Sequence, residues 1–201
     1  MGSGSAKQDG NETPATGPAV LFHCTRESHP SGFVLGPYER SRFSERLECE
    51  GKQWVDQLLL HHQPREQPCS RVNAVYAADS AANAAIFLDG EGFQEELRAH
   101  LQRKGQEVRV VPYCYEVQAA PVSKAPMALI RSLELAKAQP ETASRIAVEY
   151  WIPTNEWGYW EYFAPCMTIV RPVEWPSTAQ LERAKDSYKL DRQRARRLWG
   201  C

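Results

Sequence analysis

Three side chains stand beside short apolar segments and together suit cleavage of a glycosidic bond. His23 ends an apolar run, Tyr76 lies in the Val-Tyr-Ala-Ala segment 75–78, and Glu161 precedes the Tyr-Phe-Ala-Pro segment 162–165. A carboxylate stabilises an oxocarbenium-like transition state, an imidazole binds a sugar hydroxyl, and an aromatic ring stacks on a flat leaving group. If three strands bring these side chains to one cleft, the chain carries the groups for such a reaction.

Hydrophobic periodicity predicts the elements that would position them. Strands are predicted at 20–23, 72–77, 108–117, 145–152 and 162–173, the last broken at Pro165, and helices at 51–62, 81–88, 93–104, 126–137 and 177–199. Residues 31–46 are predicted to form a loop, with or without a short helix. Asp79 or Ser80 is expected to cap the helix 81–88, because a side-chain oxygen accepts from the first free amides. Strands and helices do not alternate strictly, which predicts an α+β fold with largely antiparallel sheets.

The length fits one domain or one domain with tails, and the composition fits an ordinary soluble core. The chain has 201 residues, 42% hydrophobic and 24% charged, with a net charge of −1. These values predict an ordinary core and exclude a generic nucleic-acid binder. Residues 1–18 are expected to be a flexible leader, 19–176 the domain, and 177–201 a charged C-terminal helix. No stretch approaches the roughly 20 apolar residues that span a bilayer, so no membrane contact is expected.

The cysteines predict neither a metal site nor a disulfide framework. The six are Cys24, Cys49, Cys69, Cys114, Cys166 and Cys201. None forms a CxxC pair, and no His/Cys cluster has zinc-like spacing. The even count permits three disulfides, but a chain of this length does not need them. Reduced thiols and a cytoplasmic protein are therefore expected.

The segment around His23 resembles the first strand of ADP-ribosyltransferases of the diphtheria-toxin and poly(ADP-ribose) polymerase type. It reads Leu-Phe-His-Cys-Thr over 21–25 and is followed by Arg26. In that family the histidine, followed by a small residue and a Ser or Thr, binds the 2′-hydroxyl of the nicotinamide ribose, and the local backbone clamps the carboxamide. Cys24 stands where glycine is common. The resemblance implies that His23 and Thr25 belong to an NAD-binding site.

The segment around Tyr76 is similar to the strand–turn–helix of the same family. A tyrosine precedes small residues, Ser80 and an alanine-rich helix. The resemblance implies that the ring of Tyr76 stacks on the nicotinamide, that Ser80 belongs to the same binding site, and that Phe87 supplies a second stacking ring. An ordinary core position for Phe87 and plain helix packing for the alanines are the alternatives.

Glu161 begins a late strand, as the catalytic glutamate of this family does. That role implies a carboxylate that holds the ribose hydroxyl and favours positive charge on C1′ as nicotinamide departs. A strand-end carboxylate in water is the alternative, and Glu149, on the strand predicted just before, is the rival catalytic residue. The second branch of the family has a Ser-Thr-Ser strand and a Glu-x-Glu turn, whereas residue 159 here is Tyr. The chain therefore resembles the His-Tyr-Glu branch, over about 20–173.

For each of two groups of basic residues, the sequence allows two functional interpretations. Arg26, Arg40 and Arg42 either meet a diphosphate through paired N–H donors or are solvated. The predicted helix 177–199 carries seven Lys and Arg residues between 183 and 197. It is either a solvated helix or an arm that binds phosphates or a partner.

The resemblance implies a mono-ADP-ribosyltransferase that consumes NAD as a substrate, without a metal, and transfers ADP-ribose to a protein or nucleic acid with release of nicotinamide. It implies a split β-sandwich of two small antiparallel sheets around an NAD cleft, with flanking helices. By analogy the chain is expected to be a toxin or effector. It is expected either in the cytoplasm or as a secreted effector that acts in the cytoplasm of a target cell. An inhibitory immunity protein is a further expected partner. A catalytically silent NAD- or ADP-ribose-binding module and an RNA 2′-phosphotransferase are the alternatives.

Overall fold

A computed structural model describes residues 19–88 and 112–200, which contain seven strands and six α-helices. The strands are β1 (Ala19–Thr25), β2 (Val34–Leu35), β3 (Val75–Ala77), β4 (Tyr113–Ala119), β5 (Ser123–Pro126), β6 (Trp160–Ala164) and β7 (Met167–Val173). The helices are α1 (Arg42–Cys49), α2 (Gln53–His62), α3 (Ala81–Ala85), α4 (Ala128–Leu135), α5 (Pro140–Trp151) and α6 (Thr178–Trp199).

The strands form two sheets, in the orders β1-β4-β7-β2 and β3-β6-β5. Every pairing between these strands is antiparallel. The sheets meet where Phe22 of β1 and Ala78, just after β3, exchange two backbone hydrogen bonds of 2.8 and 2.9 Å. The predicted α+β class, with two small antiparallel sheets and flanking helices, is confirmed.

Two groups of buried side chains hold this arrangement together. One is shared by the two sheets and includes Leu21, Val117 and Ile169. The other lies among the helices and the β3-β6-β5 sheet and includes Leu59 and Leu129. Burial of apolar surface of this kind is the main favourable contribution to folding. Since strands of both sheets share the first group, the two sheets are fixed relative to each other.

Side-chain caps define where two of the helices begin. The Oγ of Ser80 accepts from the backbone amide of Asn83 at 3.1 Å, so Ser80 is the N-cap of α3. Asp79 accepts instead from the side-chain amide of Asn83 at 2.7 Å. At the start of α6, the amide of Ser177 donates to Oε1 of Gln180 at 2.8 Å. The predicted terminal helix is confirmed, and α3 is shorter than predicted.

The strand predicted at 145–152 is wrong, because these residues belong to α5. The helix begins with a proline, which has no amide to leave unpaired at the first turn. Its buried side chains Ala143, Ile146, Ala147 and Tyr150 recur at helical spacing. The β-branched and aromatic residues of this segment favour a strand, but packing of a helical face overrides such preferences. The predicted helix 93–104 and residues 108–111 of a predicted strand lie outside the described residues.

Helix α6 is part of the packed domain and fixes the chain just before β6. Its residues Leu181 and Ala195 are buried in the helical core, and it packs against α3 and α4. The carboxylate of Asp191 accepts from the amides of Gly158 and Tyr159 at 2.9 and 2.8 Å. In the described ranges, no helix combines the length and the apolar character that a membrane crossing requires.

Candidate functional site

The strands that carry His23, Tyr76 and Glu161 adjoin one another. The end of β3 bridges to β1, and β3 pairs with β6 so that Tyr76 lies opposite Phe163. Opposed residues of an antiparallel pair point to the same face, and so do residues two apart on one strand. Tyr76, Phe163 and Glu161 therefore share one face of the sheet. All three predicted site residues, His23, Tyr76 and Glu161, line the same cleft.

His23 joins the first two of these strands. Its Nδ1 lies 2.7 Å from the carbonyl oxygen of Tyr76. A carbonyl only accepts, so Nδ1 carries a proton, and when the ring is neutral Nε2 is the nitrogen with a lone pair. The ring is thereby fixed in orientation and in tautomer at the wall of the cleft.

Tyr76 is half-buried, with its hydroxyl inside the protein. The ring centroid lies 6.1 Å from that of Phe43 and 6.0 Å from that of Phe163. The hydroxyl donates to the carbonyl oxygen of Arg71 at 2.5 Å. Burial, above all other effects, raises the pKa of the Tyr76 hydroxyl, so this side chain is a neutral aromatic group at physiological pH. Its place in the cleft fits a ring that packs against a flat ligand.

Glu161 lines the cleft, yet the residue is only 3% exposed. Its Oε1 accepts from the hydroxyl of Tyr150 and lies 3.4 Å from Nε of Arg71. Arg71 also reaches Asp56, with 3.1 Å between Nη1 and Oδ1. One cation and two carboxylates thus meet beneath the cleft, with a formal charge of −1.

The environment keeps Arg71 charged. Burial opposes its charge, but the neighbouring Tyr76, Glu161, Tyr150 and Asp56 raise the pKa of the guanidinium well above its ordinary value. Burial and the nearby carboxylate of Glu161 likewise raise the pKa of Tyr150. Tyr150 is therefore a hydrogen-bond donor throughout the neutral range.

Sequence reasoning missed Arg71, Asp56 and Tyr150. One signal was present, since Asp56 shares the buried face of α2 with Val55 and Leu59. An acidic residue on an apolar helix face indicates a buried partner of opposite charge. Tyr150 was hidden by the wrong strand prediction over α5.

Glu149, the rival glutamate, has a different structural role. It lies on α5, not on a strand, and is not among the residues that line the cleft. Its carboxylate accepts from five donors in the loop that follows, which are the backbone and hydroxyl of Thr154, the backbone and side-chain amides of Asn155, and the indole of Trp157. Burial opposes its charge, but these hydrogen bonds outweigh that effect and hold the pKa of Glu149 below its usual range. Glu149 fixes a loop.

Of the other predicted binding residues, three line the cleft and one does not. Thr25, Arg26 and Phe87 line the cleft. The ring of Phe87 is 40% exposed and contacts Tyr159 edge-on, with 5.8 Å between centroids. Ser80 caps α3 and is not among the residues that line the cleft. The structure therefore brings a second aromatic ring to the cleft but not the Ser80 hydroxyl.

Most cleft arginines are paired with carboxylates. Arg40 pairs with Glu48, and the side chain of Arg42 is outside the described part of the structure. Further along the cleft, Glu134 has three basic partners, which are Arg46 at 3.7 Å, Lys52 at 3.2 Å and Arg131 at 2.5 Å. With Glu50, which also pairs with Lys52, this group has a formal charge of +1.

Among residues 19–88 and 112–200, no group of three or more His, Cys, Asp or Glu side chains is placed to hold a metal ion. The five cysteines in these ranges are free thiols. No known protein family and no curated protein matches the chain. The functional assignment therefore depends on the geometry of the cleft and on the motifs that the sequence carries.

Proposed function

We propose that this protein is a mono-ADP-ribosyltransferase, which consumes NAD, releases nicotinamide and transfers ADP-ribose to a protein or nucleic acid. The observation that carries the proposal is that β1, β3 and β6 adjoin, so that His23, Tyr76 and Glu161 line one cleft. The three residue types occur in the same chain order as in the His-Tyr-Glu branch of the family that the sequence resembles.

Glu161 would act as the bond between nicotinamide N1 and ribose C1′ breaks. The bonding electrons leave with neutral nicotinamide, and positive charge develops on C1′. A carboxylate fixed in a water-poor site stabilises that charge strongly. Arg71 does not cancel the carboxylate, because Arg71 is shared with Asp56. The nucleophile of the acceptor then forms the new bond to C1′ and loses its proton.

His23 and Tyr76 would hold the substrate in place. Because Nδ1 of His23 donates to the Tyr76 carbonyl, Nε2 is the atom suited to accept a hydrogen bond from a ribose hydroxyl. The rings of Tyr76 and Phe87 both line the cleft and offer faces on which a nicotinamide ring can pack. Glu149 is unsuited to the catalytic role, since its oxygens already accept from five donors.

The size of the cleft supports transfer to a second reactant. Its volume is about 1420 Å³, larger than the roughly 300–1,000 Å³ of ordinary small-molecule sites. The excess leaves room for part of an acceptor beside NAD. The resemblance to toxin domains favours an acceptor in the cytoplasm of a target cell and a role as toxin or effector.

The test is incubation of the purified protein with NAD, labelled in the adenylate, and a whole-cell lysate. Nicotinamide release is measured, and labelled macromolecules are digested with protease or nuclease to identify the acceptor class. Glu161→Gln is expected to lower turnover by on the order of 10²–10³, because it removes a charge that stabilises the transition state. The matched control is Glu149→Gln, which also removes a buried carboxylate, but one that does not line the cleft.

Three outcomes separate the alternatives. Labelling that depends on Glu161 supports the proposal. NAD binding without nicotinamide release indicates a silent binding module. Equal losses in Glu161→Gln and Glu149→Gln would show that Glu161 has no special part in the reaction.

A further inference from the structure

Arg71 is a charged side chain inside the protein that links elements far apart in the sequence. It is 2% exposed, and its Nε lies 2.9 Å from the Tyr150 hydroxyl on α5. Through Nη1 it also contacts Asp56 on α2. The guanidinium carbon lies 4.0 Å from the ring centroid of Phe43 on α1. With Glu161 of β6, whose Oε1 lies 3.4 Å from Nε, four elements (α1, α2, α5 and β6) meet at this one cation.

Stability alone does not account for such a group. Removing two or three charges from water is costly, and well-packed apolar side chains often stabilise a core equally well. Within the described residues, Nη2 of Arg71 and Oδ2 of Asp56 are buried without a hydrogen-bond partner. Each unpaired buried polar atom costs free energy. The cluster of Arg71, Asp56, Tyr150 and Glu161 is therefore less stabilising than an apolar core of the same size would be, which points to a functional role.

The contacts to Glu161 are unequal at its two oxygens. Both Tyr150 and Arg71 contact Oε1, whereas Oε2 accepts no hydrogen bond from a described residue. The side chain also lines the cleft. Only one of the two oxygens is therefore held from within the protein.

We propose that Asp56, Arg71 and Tyr150 are positioning residues, which fix the Glu161 carboxylate through Oε1 so that Oε2 meets the substrate. This inference rests on the proposed function and goes further, since it assigns roles to three residues outside the His-Tyr-Glu motif. A carboxylate held before the reaction needs no reorientation as charge develops on the ribose. Arg71 forms ion pairs with both Asp56 and Glu161. Because Asp56 offsets part of the charge of Arg71, the Glu161 carboxylate keeps more of its negative potential towards the substrate.

The test compares two tyrosine-to-phenylalanine variants. Tyr150→Phe removes the hydroxyl that holds Oε1. Tyr159→Phe is the matched control, because Tyr159 is also fully buried but its hydroxyl donates to the carbonyl of Asn83 and not to Glu161. For each variant, kcat and KM of nicotinamide release and the free energy of unfolding are measured.

Tyr150→Phe is expected to lower kcat by roughly 10–100-fold with little change in KM, because a misplacement of about 1 Å costs on the order of 10² in rate. The control is expected to retain the wild-type kcat. Tyr150→Phe is also combined with Glu161→Gln. If Tyr150 acts through Glu161, the double variant is no slower than Glu161→Gln alone.

Asp56→Asn is the second variant, and it tests the group even if Tyr150→Phe fails to fold. It leaves Tyr150 and Glu161 unchanged but removes the carboxylate charge that offsets Arg71. Arg71 then neutralises more of the charge of Glu161, so kcat is again expected to fall with KM unchanged. Losses that multiply in the double variant, or a folded Asp56→Asn with wild-type kcat, would overturn the positioning role while leaving the proposed function in place. Wild-type protein that releases no nicotinamide would overturn both.

Discussion

The ring of His23 and the peptide carbonyl of Tyr76 are joined by a 2.7 Å hydrogen bond between residues 53 apart in the chain. The same imidazole therefore connects two strands through Nδ1, and in the neutral ring Nε2 is the nitrogen that can accept a hydrogen bond. Nδ1 therefore has a structural role, and the chemical role proposed for His23 belongs to Nε2. The two roles can be separated by substitution.

His23→Asn and His23→Ala are expected to differ in stability but not in activity. The side-chain amide of Asn can replace Nδ1 as donor to the carbonyl, whereas Ala loses that bond, which contributes about 0.5–1.5 kcal/mol. Neither variant has an atom in the place of Nε2, so both should lose nicotinamide release. Urea unfolding and a turnover assay check the two expectations. An active His23→Asn would show that Nε2 takes no part in the reaction.

Tyr76→Phe and Tyr76→Ala separate the ring of Tyr76 from its hydroxyl. Phe keeps the ring and loses only the hydrogen bond to the Arg71 carbonyl, so its affinity for NAD should stay near that of the wild type. Ala removes the ring, and an aromatic contact contributes roughly 0.5–1.5 kcal/mol beyond area burial. Affinity should therefore fall by about 2–12-fold. Calorimetric titration with a non-hydrolysable NAD analogue is the measurement, and equal affinities would count against stacking.

Glu149→Gln is expected to change how stability depends on pH. The folded pKa of Glu149 lies below its ordinary value of 4.5. Its ionised form therefore stabilises the fold above pH 4.5, and the contribution is lost as the pH falls below that value through the folded pKa. The variant should be less stable than the wild type at neutral pH, with a difference that shrinks under acid conditions.

Urea unfolding at neutral pH, at pH 4.5 and about one unit lower measures that difference. Glu141→Gln, an exposed glutamate at the start of the same helix, is the control. A difference between Glu149→Gln and the wild type that does not change with pH would contradict the expectation.

Cys24 and Cys114 are expected to form a disulfide under oxidation. They are opposite residues of β1 and β4, with 2.8 Å between their sulfur atoms. The hydrogen bond from Cys24 lowers the pKa of Cys114, so the thiolate forms more readily at Cys114 than in an ordinary thiol. Hydrogen peroxide would oxidise Cys114 to a sulfenic acid with loss of water. The Cys24 sulfur would then displace a second water to form the disulfide.

The bond would close a loop of 90 residues, and the loss of chain entropy in the unfolded state would stabilise the fold by about 4.6 kcal/mol. Non-reducing digestion with mass spectrometry should detect the cross-linked peptide, and urea unfolding with and without reductant should show the gain. Cys24→Ser is the control for both measurements. Peroxide treatment that leaves both thiols free would refute this expectation.

The fold class could be predicted from the sequence because it depends on local pattern, and the motifs pointed to three side chains, His23, Tyr76 and Glu161, that line one cleft. Apolar segments predicted most of the strands, and Ser80 was one of two predicted caps for α3. The group around Arg71 could not be predicted in this way. Arg71 meets Asp56, Tyr150 and Glu161 at separations of 15, 79 and 90 residues, and local periodicity carries no information about such pairs. In α5, strand-favouring residues concealed a helix that tertiary packing stabilises.

The pairing of β3 with β6 joins residues 75–77 to residues 162–164, and this has a kinetic consequence. Helices form from neighbouring residues in about a microsecond, whereas pairing between distant segments must first overcome the entropy of closing a long loop. During refolding, the helical signal in far-ultraviolet circular dichroism should therefore recover before NAD turnover does. Under the proposed function, a chain that has its helices but not this strand pair would be inert towards NAD, so a newly made chain would consume none of it until the strands pair.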